Sequence, residues 1–274
     1  VLTYIDHVTL AVRSLDSGVE RFRSGLSFFV GGRHRAADAG LETAVIPLVR
    51  GHLELISALP DQTNSAGAGG LSDFLSVREG LYGYAVQSSD VADDVASLRS
   101  RGSRLVAPQH ETVERNGVTI GWTVSEIPER EVAGPLPFLV QYDASPDEQG
   151  RRAALTQPLA IRSIEEVTVV VSDVEATLTD FERDFGLRTV RRLGARAQVG
   201  LLGSKITLVP ARMAPLGLPL GLYSAALGTT DINGARTELR ARDIPCVDDP
   251  FSLGVAVQID PAFTCGARIG LVQL

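Results

Sequence analysis

Cysteine is almost absent from this chain. Its 274 residues hold two, Cys246 and Cys265. Both lie in the C-terminal stretch and neither sits in a C-x-x-C arrangement, so a disulfide scaffold and a thiolate metal site find no support. Two free thiols in a reducing cytoplasm are expected, and the protein is read as cytoplasmic. Long apolar runs are missing too: nothing reaches the roughly 18 residues a membrane-crossing helix needs. No basic-then-apolar leader precedes the strand-like pattern of Val1 to Asp6, so a signal peptide is not expected. Positive charge is not in excess. The net charge is −7 and the pI is near 5.2, which argues against nucleic acid or an anionic membrane as partner. There is also no glycine-rich phosphate loop, serine nucleophile elbow or paired-carboxylate motif.

What is present is a globular composition, 44% hydrophobic and 22% charged, with length enough for two domains. Above all there is repetition. Ile5-Asp6-His7-Val8-Thr9-Leu10-Ala11-Val12 reads in parallel with Ile164-Glu165-Glu166-Val167-Thr168-Val169-Val170-Val171. Each is a β-branched, apolar strand pattern running into a Ser or Asp that can cap a helix. Helical periodicity follows, through Val19, Phe22 and Leu26 in one copy and Leu178, Phe181 and Phe185 in the other, with Gly25 and Gly186 as terminators. A second pair of repeats runs from Leu81-Tyr82-Gly83 and Leu222-Tyr223-Ser224 into helices over 91–101 and 232–242. Leu139-Val140-Gln141 is echoed by Leu271-Val272-Gln273.

Each unit follows one plan: a strand, a helix, then three strands. In the first unit the later strands are expected at 28–31, 42–48 and 52–57, with Arg50-Gly51 as the tight turn, and Asn116-Gly117 has the same task in the second unit. His34, beside Arg33 and Arg35, and His110, beside Glu111, read as solvated loop positions. The stretch 61–70 is a loop between units, and the polar stretch 144–160 breaks every pattern. The chain is therefore read as an α+β protein of four βαβββ modules, with domains at 1–145 and 161–274 joined by a linker at 146–160.

Paired βαβββ units with His7 in a first strand, a His52-Leu53-Glu54-Leu55-Ile56 strand and the segment Pro137-Phe138-Leu139-Val140-Gln141 resemble the vicinal oxygen chelate superfamily, and within it the glyoxalase-like domain proteins. That superfamily includes glyoxalase I, extradiol dioxygenases and bleomycin-sequestering proteins. The resemblance implies two tandem domains, each a strongly curved mixed sheet around a cavity with helices outside. It also implies four ligand positions per pair of modules. In the first half these fall on His7, Glu54, Gly83 and Gln141, so a divalent metal (Fe, Zn, Ni or Mn) would have His7, Glu54 and the weaker Gln141 as ligands, with nothing at Gly83. In the second half they fall on Glu166, Thr207, Ser224 and Gln273, a poor set, and that half is expected to hold no metal.

His52 and Glu54 are two apart on one strand and share a face. The roughly 6.5–7 Å between them is long for one ion, so His52 is read as a contact beside the site, a proton carrier or a ligand contact. His7, Glu54 and His52 are the candidate catalytic residues. Without metal, a His7–Glu54 hydrogen bond would satisfy the carboxylate and could serve as a general base. Tyr82, Tyr84, Trp122 and Tyr142 are candidates to line a ligand cavity, or else to pack a core. Three functions stay open: a binder of a small organic ligand in the N-terminal cavity, favoured because it needs no complete metal shell; a metal-dependent lyase, isomerase or ring-cleaving dioxygenase; and a non-catalytic scaffold. Homo-oligomerisation is also left open.

Overall fold

The computed structural model of the chain describes residues 1–59, 69–115, 118–128, 134–143, 156–214, 219–247 and 255–274. The four-module plan is what they show. The first module runs β1 (Leu2–Ala11), α1 (Leu15–Glu20), β2 (Arg33–Ala36), β3 (Leu41–Pro47) and β4 (His52–Ala58). A helix, α2 (Gly69–Val77), precedes the second module: β5 (Gly80–Ser88), α3 (Val91–Arg99), β6 (Gln109–Arg115), β7 (Val118–Ser125) and β8 (Phe138–Tyr142). The third comprises β9 (Ile161–Val171), α4 (Val174–Phe185), β10 (Thr189–Leu193), β11 (Arg196–Gly200) and β12 (Lys205–Pro210). The fourth comprises β13 (Gly221–Thr229), α5 (Ile232–Ala241), β14 (Cys246–Val247), β15 (Val257–Ile259) and β16 (Arg268–Gln273).

The same local chemistry starts the helix of every module. Ser14, Asp90, Asp173 and Asp231 each accept a backbone N–H of the first turn through the side-chain oxygen, satisfying a donor that no helix can satisfy internally. Because these caps recur at one place in each module, they give a common ruler for comparing strands. Two eight-stranded mixed sheets result, ordered β2-β3-β4-β1-β5-β8-β7-β6 and β10-β11-β12-β9-β13-β16-β15-β14.

By packing, the chain forms two compact units, each drawn from both halves of the sequence. One comprises Val1–Asp6, Tyr84–Gln149 and Glu165–Tyr223, the other His7–Gly83, Gly150–Ile164 and Ser224–Leu274. In the second of these, Gln157 is almost wholly buried. It accepts the Phe29 N–H at 2.9 Å and donates to Phe29 O at 3.0 Å and Pro47 O at 2.8 Å. In the first, the Asp184 carboxylate of α4 is clasped by Arg104, which follows α3.

Several expectations are corrected. Residues 28–31 are not a strand: Phe28 and Val30 are buried as a packed connection, held by Phe28 N–H on Phe22 O and Gly31 N–H on Val45 O. The edge strand is β2 instead, and it contains His34 between Arg33 and Arg35. A charged, half-solvated edge strand carries no apolar alternation, and such charges are how sheet edges avoid pairing with other chains. His110 likewise lies on β6, with Nε2 2.7 Å from Asp143 Oδ2. Gly25 is the last residue of its helix, which finishes in a π-helical turn at Arg21–Gly25, but the left-handed conformation falls to Ser27. The Arg50-Gly51 turn is present, with Gly51 at φ 81° and Leu48 N–H on Gly51 O. Asn116-Gly117, most of the 61–70 loop and residues 144–155 of the linker stretch lie outside the described residues.

Candidate metal and ligand site

The site grows out of the alternation of β1 and β4. One face of these strands carries Val8, Leu10, Leu53 and Leu55, all fully buried. The other carries His7, Thr9, His52 and Glu54, because the strands pair in parallel with His7 opposite His52 and Thr9 opposite Glu54. On β3, Pro47, Val45, Thr43 and Leu41 continue this face opposite His52, Glu54, Ile56 and Ala58. These β3 residues, with Glu54, Ile56 and Ala58, are only half-buried. At its far end Ala11, Ile56, Ala58 and Leu41 pack against Leu71, Phe74 and Leu75 of α2, with Tyr82 edge-on to Phe74 at 5.3 Å.

His7 and His52 are the residues most clearly brought together. Both are buried and their rings stack, with centroids 4.6 Å apart and planes at 26°. Asp6 joins them: one ligand-type atom from each of Asp6, His7 and His52 lies within 4.8 Å of the others. Glu54 is not in that cluster. Its Oε2 accepts the Thr9 hydroxyl at 3.5 Å. His52 thus sits beside His7 across the strands, and the spacing that separates it from Glu54 along β4 does not part it from His7. Asp6 is the residue that sequence reasoning missed. Strict alternation sends it to the face opposite His7; the available signal was an acid beside a histidine in an otherwise apolar strand.

The cluster can be tested against a divalent ion. Two imidazoles and a carboxylate are a donor set suited to Fe, Zn, Ni or Mn. With metal–ligand bonds of about 2.0–2.2 Å, donors on one ion lie at most ~4.4 Å apart, so the 4.8 Å spread closes with a side-chain adjustment. The nearly parallel rings must also turn so that their lone pairs converge. In donor type and burial the residues fit.

Gln141 does not stand at the expected position. Thr9 and Ala85 occupy the same place in their modules, each five residues before the capping residue. Thr9 is opposite Glu54, but Ala85 is opposite Phe138, so the counterpart of Glu54 is an apolar ring. Gln141 lies three residues further on and its Oε1 accepts the Val91 N–H at 2.8 Å, at the start of α3. Gln273 does the same for Ile232 at 3.0 Å, at the start of α5. Both glutamines are helix anchors.

The aromatic candidates divide. Tyr84 is fully buried and donates its hydroxyl to Pro135 O at 2.6 Å, Tyr82 packs on Phe74, and Trp122 pairs with Tyr142 across β7 and β8.

In the third module Glu166 takes the place of His7, Lys205 that of His52 and Thr207 that of Glu54. Lys205 Nζ lies 3.1 Å from Glu166 Oε2. The Thr207 hydroxyl donates to Glu166 Oε1 at 2.5 Å and accepts from Gln198 Nε2 at 3.1 Å. Burial pushes the Glu166 carboxyl upward, and Thr207 and Lys205 only partly offset it. An ammonium at this position repels a metal cation. In the fourth module the corresponding pair is Ser224 and Arg268.

Four βαβββ modules in two sheets, with a two-histidine cluster on the first, define a protein of the tandem glyoxalase-like class. The glyoxalase-like domain family matches residues 5–185, and the chain belongs to that family, within the vicinal oxygen chelate superfamily. No curated protein matches the chain. Among solved structures, a hypothetical protein from Staphylococcus aureus is 13% identical, with 99% of each chain covered and a TM-score of 0.69. A triple mutant of 4-hydroxymandelate synthase from Streptomyces coelicolor is 15% identical, with 99% of this chain and 92% of that one covered and a TM-score of 0.66. At such identities the likeness establishes the fold, which hosts many chemistries.

Proposed function

We propose that this protein binds a small, oxygen-bearing organic ligand on the His7–Thr9–His52–Glu54 face of its first module, and that Asp6, His7 and His52 hold one divalent metal ion there. The observation that carries this is the convergence of three buried ligand-type side chains at that place, against an internal ion pair at the same place in the third module. Metal is proposed for the N-terminal half alone.

When bound, the ion would supply Lewis acidity to the ligand's oxygens. The rest falls to the chain. Glu54, half-buried and held by Thr9, is placed to accept a proton or hydrogen bond from a ligand lying over β4. Val45 and Ile56 offer apolar contact, and the α2 cluster closes the far end of the face. A second reading, a metal-dependent lyase, isomerase or ring-cleaving dioxygenase, is favoured by the donor set itself, since two histidines and a carboxylate form a recognised non-haem iron arrangement.

Metal analysis of protein purified without a polyhistidine tag tests the proposal. One Fe, Zn, Ni or Mn per chain is expected, lost in His7→Ala and in His52→Ala and retained in Lys205→Met. Protein that holds no metal, and whose Tm is unmoved when these ions are added, would refute the metal site.

A further inference from the structure

The Glu166–Lys205 pair has a use beyond filling the place of a metal. We infer that Lys205 forms a second, metal-independent ligand site in the third module, one that takes a small carboxylate or carbonyl oxygen on its ammonium group. The inference rests on the register of the modules and not on whether the first module holds a metal.

Four observations support it. First, the pairing of β9 with β12 puts Glu166 and Lys205 where the pairing of β1 with β4 puts His7 and His52, so the positive charge lies at the place corresponding to the ligand end of the first module. Second, the pair is built into the fold. The Glu166 side chain is 5% exposed, and both its oxygens are taken, one by Thr207 and the other by Lys205. A carboxylate so deeply buried is costly unless paired, so removing Lys205 would leave an uncompensated charge. Third, the network has a direction: Gln198 donates to Thr207 and Thr207 to Glu166 Oε1, so the buried side occupies that oxygen while Lys205 meets Oε2. Fourth, the Lys205 side chain is 43% exposed. An ammonium carries three donors; one serves Glu166, and the outward ones are within reach of a ligand.

The choice of residue agrees with this. Lys205 is the only lysine in a chain otherwise supplied with arginine. A lysine is a compact point charge whose donors rotate, whereas a guanidinium is a planar fork that would lie flat on Glu166 in a bidentate pair and offer its charge differently. Held from below by a buried carboxylate, the ammonium is positioned before any ligand arrives, which lowers the ordering cost of binding.

The single lysine makes the test direct. Full-length protein carrying 15N-lysine gives one side-chain ammonium resonance, which is followed during titration with sodium pyruvate and, at matched ionic strength, with sodium chloride. A saturable shift with pyruvate and none with chloride is expected, together with a rise in Tm that is lost in Lys205→Met and kept in His7→Ala. A shift that chloride reproduces, or that never saturates, overturns the inference. So does stabilisation by pyruvate that survives in Lys205→Met, which would place the ligand elsewhere. The wild-type titration decides even if Lys205→Met does not fold. The His7→Ala arm separates this site from the one on the first module.

Discussion

Replacing Asp184 by asparagine should cost about 2 kcal/mol at neutral pH, and the loss should vanish in acid. The Asp184 side chain is fully buried, while Arg104 and Arg183 around it are partly exposed. Arg104 supplies its backbone N–H at 3.0 Å and its guanidinium at 3.1 and 2.5 Å; Arg183 contributes at 3.1 and 2.8 Å. Burial alone would raise the carboxyl, but the Arg183 and Arg104 hydrogen bonds and the Arg104 charge more than offset it, holding the group at about 2 against an ordinary 3.8. At ~1.4 kcal/mol per pH unit this difference is worth about 2 kcal/mol. Since the folded value is the depressed one, the stabilisation is fully present above the unfolded value near 3.8 and disappears as the pH falls through about 2. Urea denaturation of wild type and Asp184→Asn at pH 7, 4, 3 and 2 measures it. The two proteins should differ by about 2 kcal/mol at pH 7 and converge near pH 2. A gap of the same size at pH 2 and pH 7 would refute the reasoning, since it would show that shape and not charge is at stake.

Two other substitutions probe the modules. Gln141→Ala and Gln273→Ala should each cost roughly 0.5–1.5 kcal/mol, the value of an ordinary hydrogen bond, and neither should alter metal content; metal lost in Gln141→Ala alone would restore that residue as a ligand. Thr207→Val removes a donor from Glu166 and should raise its carboxyl further, at a cost of about 1–3 kcal/mol at pH 7. Because the folded value of Glu166 already lies above its ordinary 4.5, proton binding there favours the fold fully below that pH and ceases to do so as pH rises through the raised value. Thr207→Val should therefore be less damaging at pH 4 than at pH 7 in thermal melts, and equal loss at both would count against an ionised Glu166.

Where the sequence was informative, the information was local. The β1 and β9 patterns, the caps Ser14 and Asp173 that follow them, the helix starts at 91 and 232, and the Gly51 turn are short-range signals, and each is realised. The strand β2 was missed because an edge needs no apolar alternation. Helix α2 was missed because its short apolar face, Leu71 and Leu75, acquires meaning only against Ala11. Gln141 was misplaced because the echo of Leu271-Val272-Gln273 aligned it with Gln273 correctly, while the step from there to Glu54 depended on strand register.

The site divides in the same way. His7 and Glu54 draw attention because histidine and glutamate are conspicuous in apolar strands. Whether Glu54 or His52 stands next to His7 depends on which residues of two separate strands lie opposite one another, and no local pattern specifies that. By itself the sequence determined four modules of one plan and the starts of their helices. Tertiary structure alone decided that Asp6 and His52 cluster with His7, that Gln141 anchors a helix, and that Lys205 neutralises Glu166 at the corresponding place. The physical reason is range: caps, turns and alternation are settled between residues a few positions apart, whereas a site is settled by register between strands some forty residues distant.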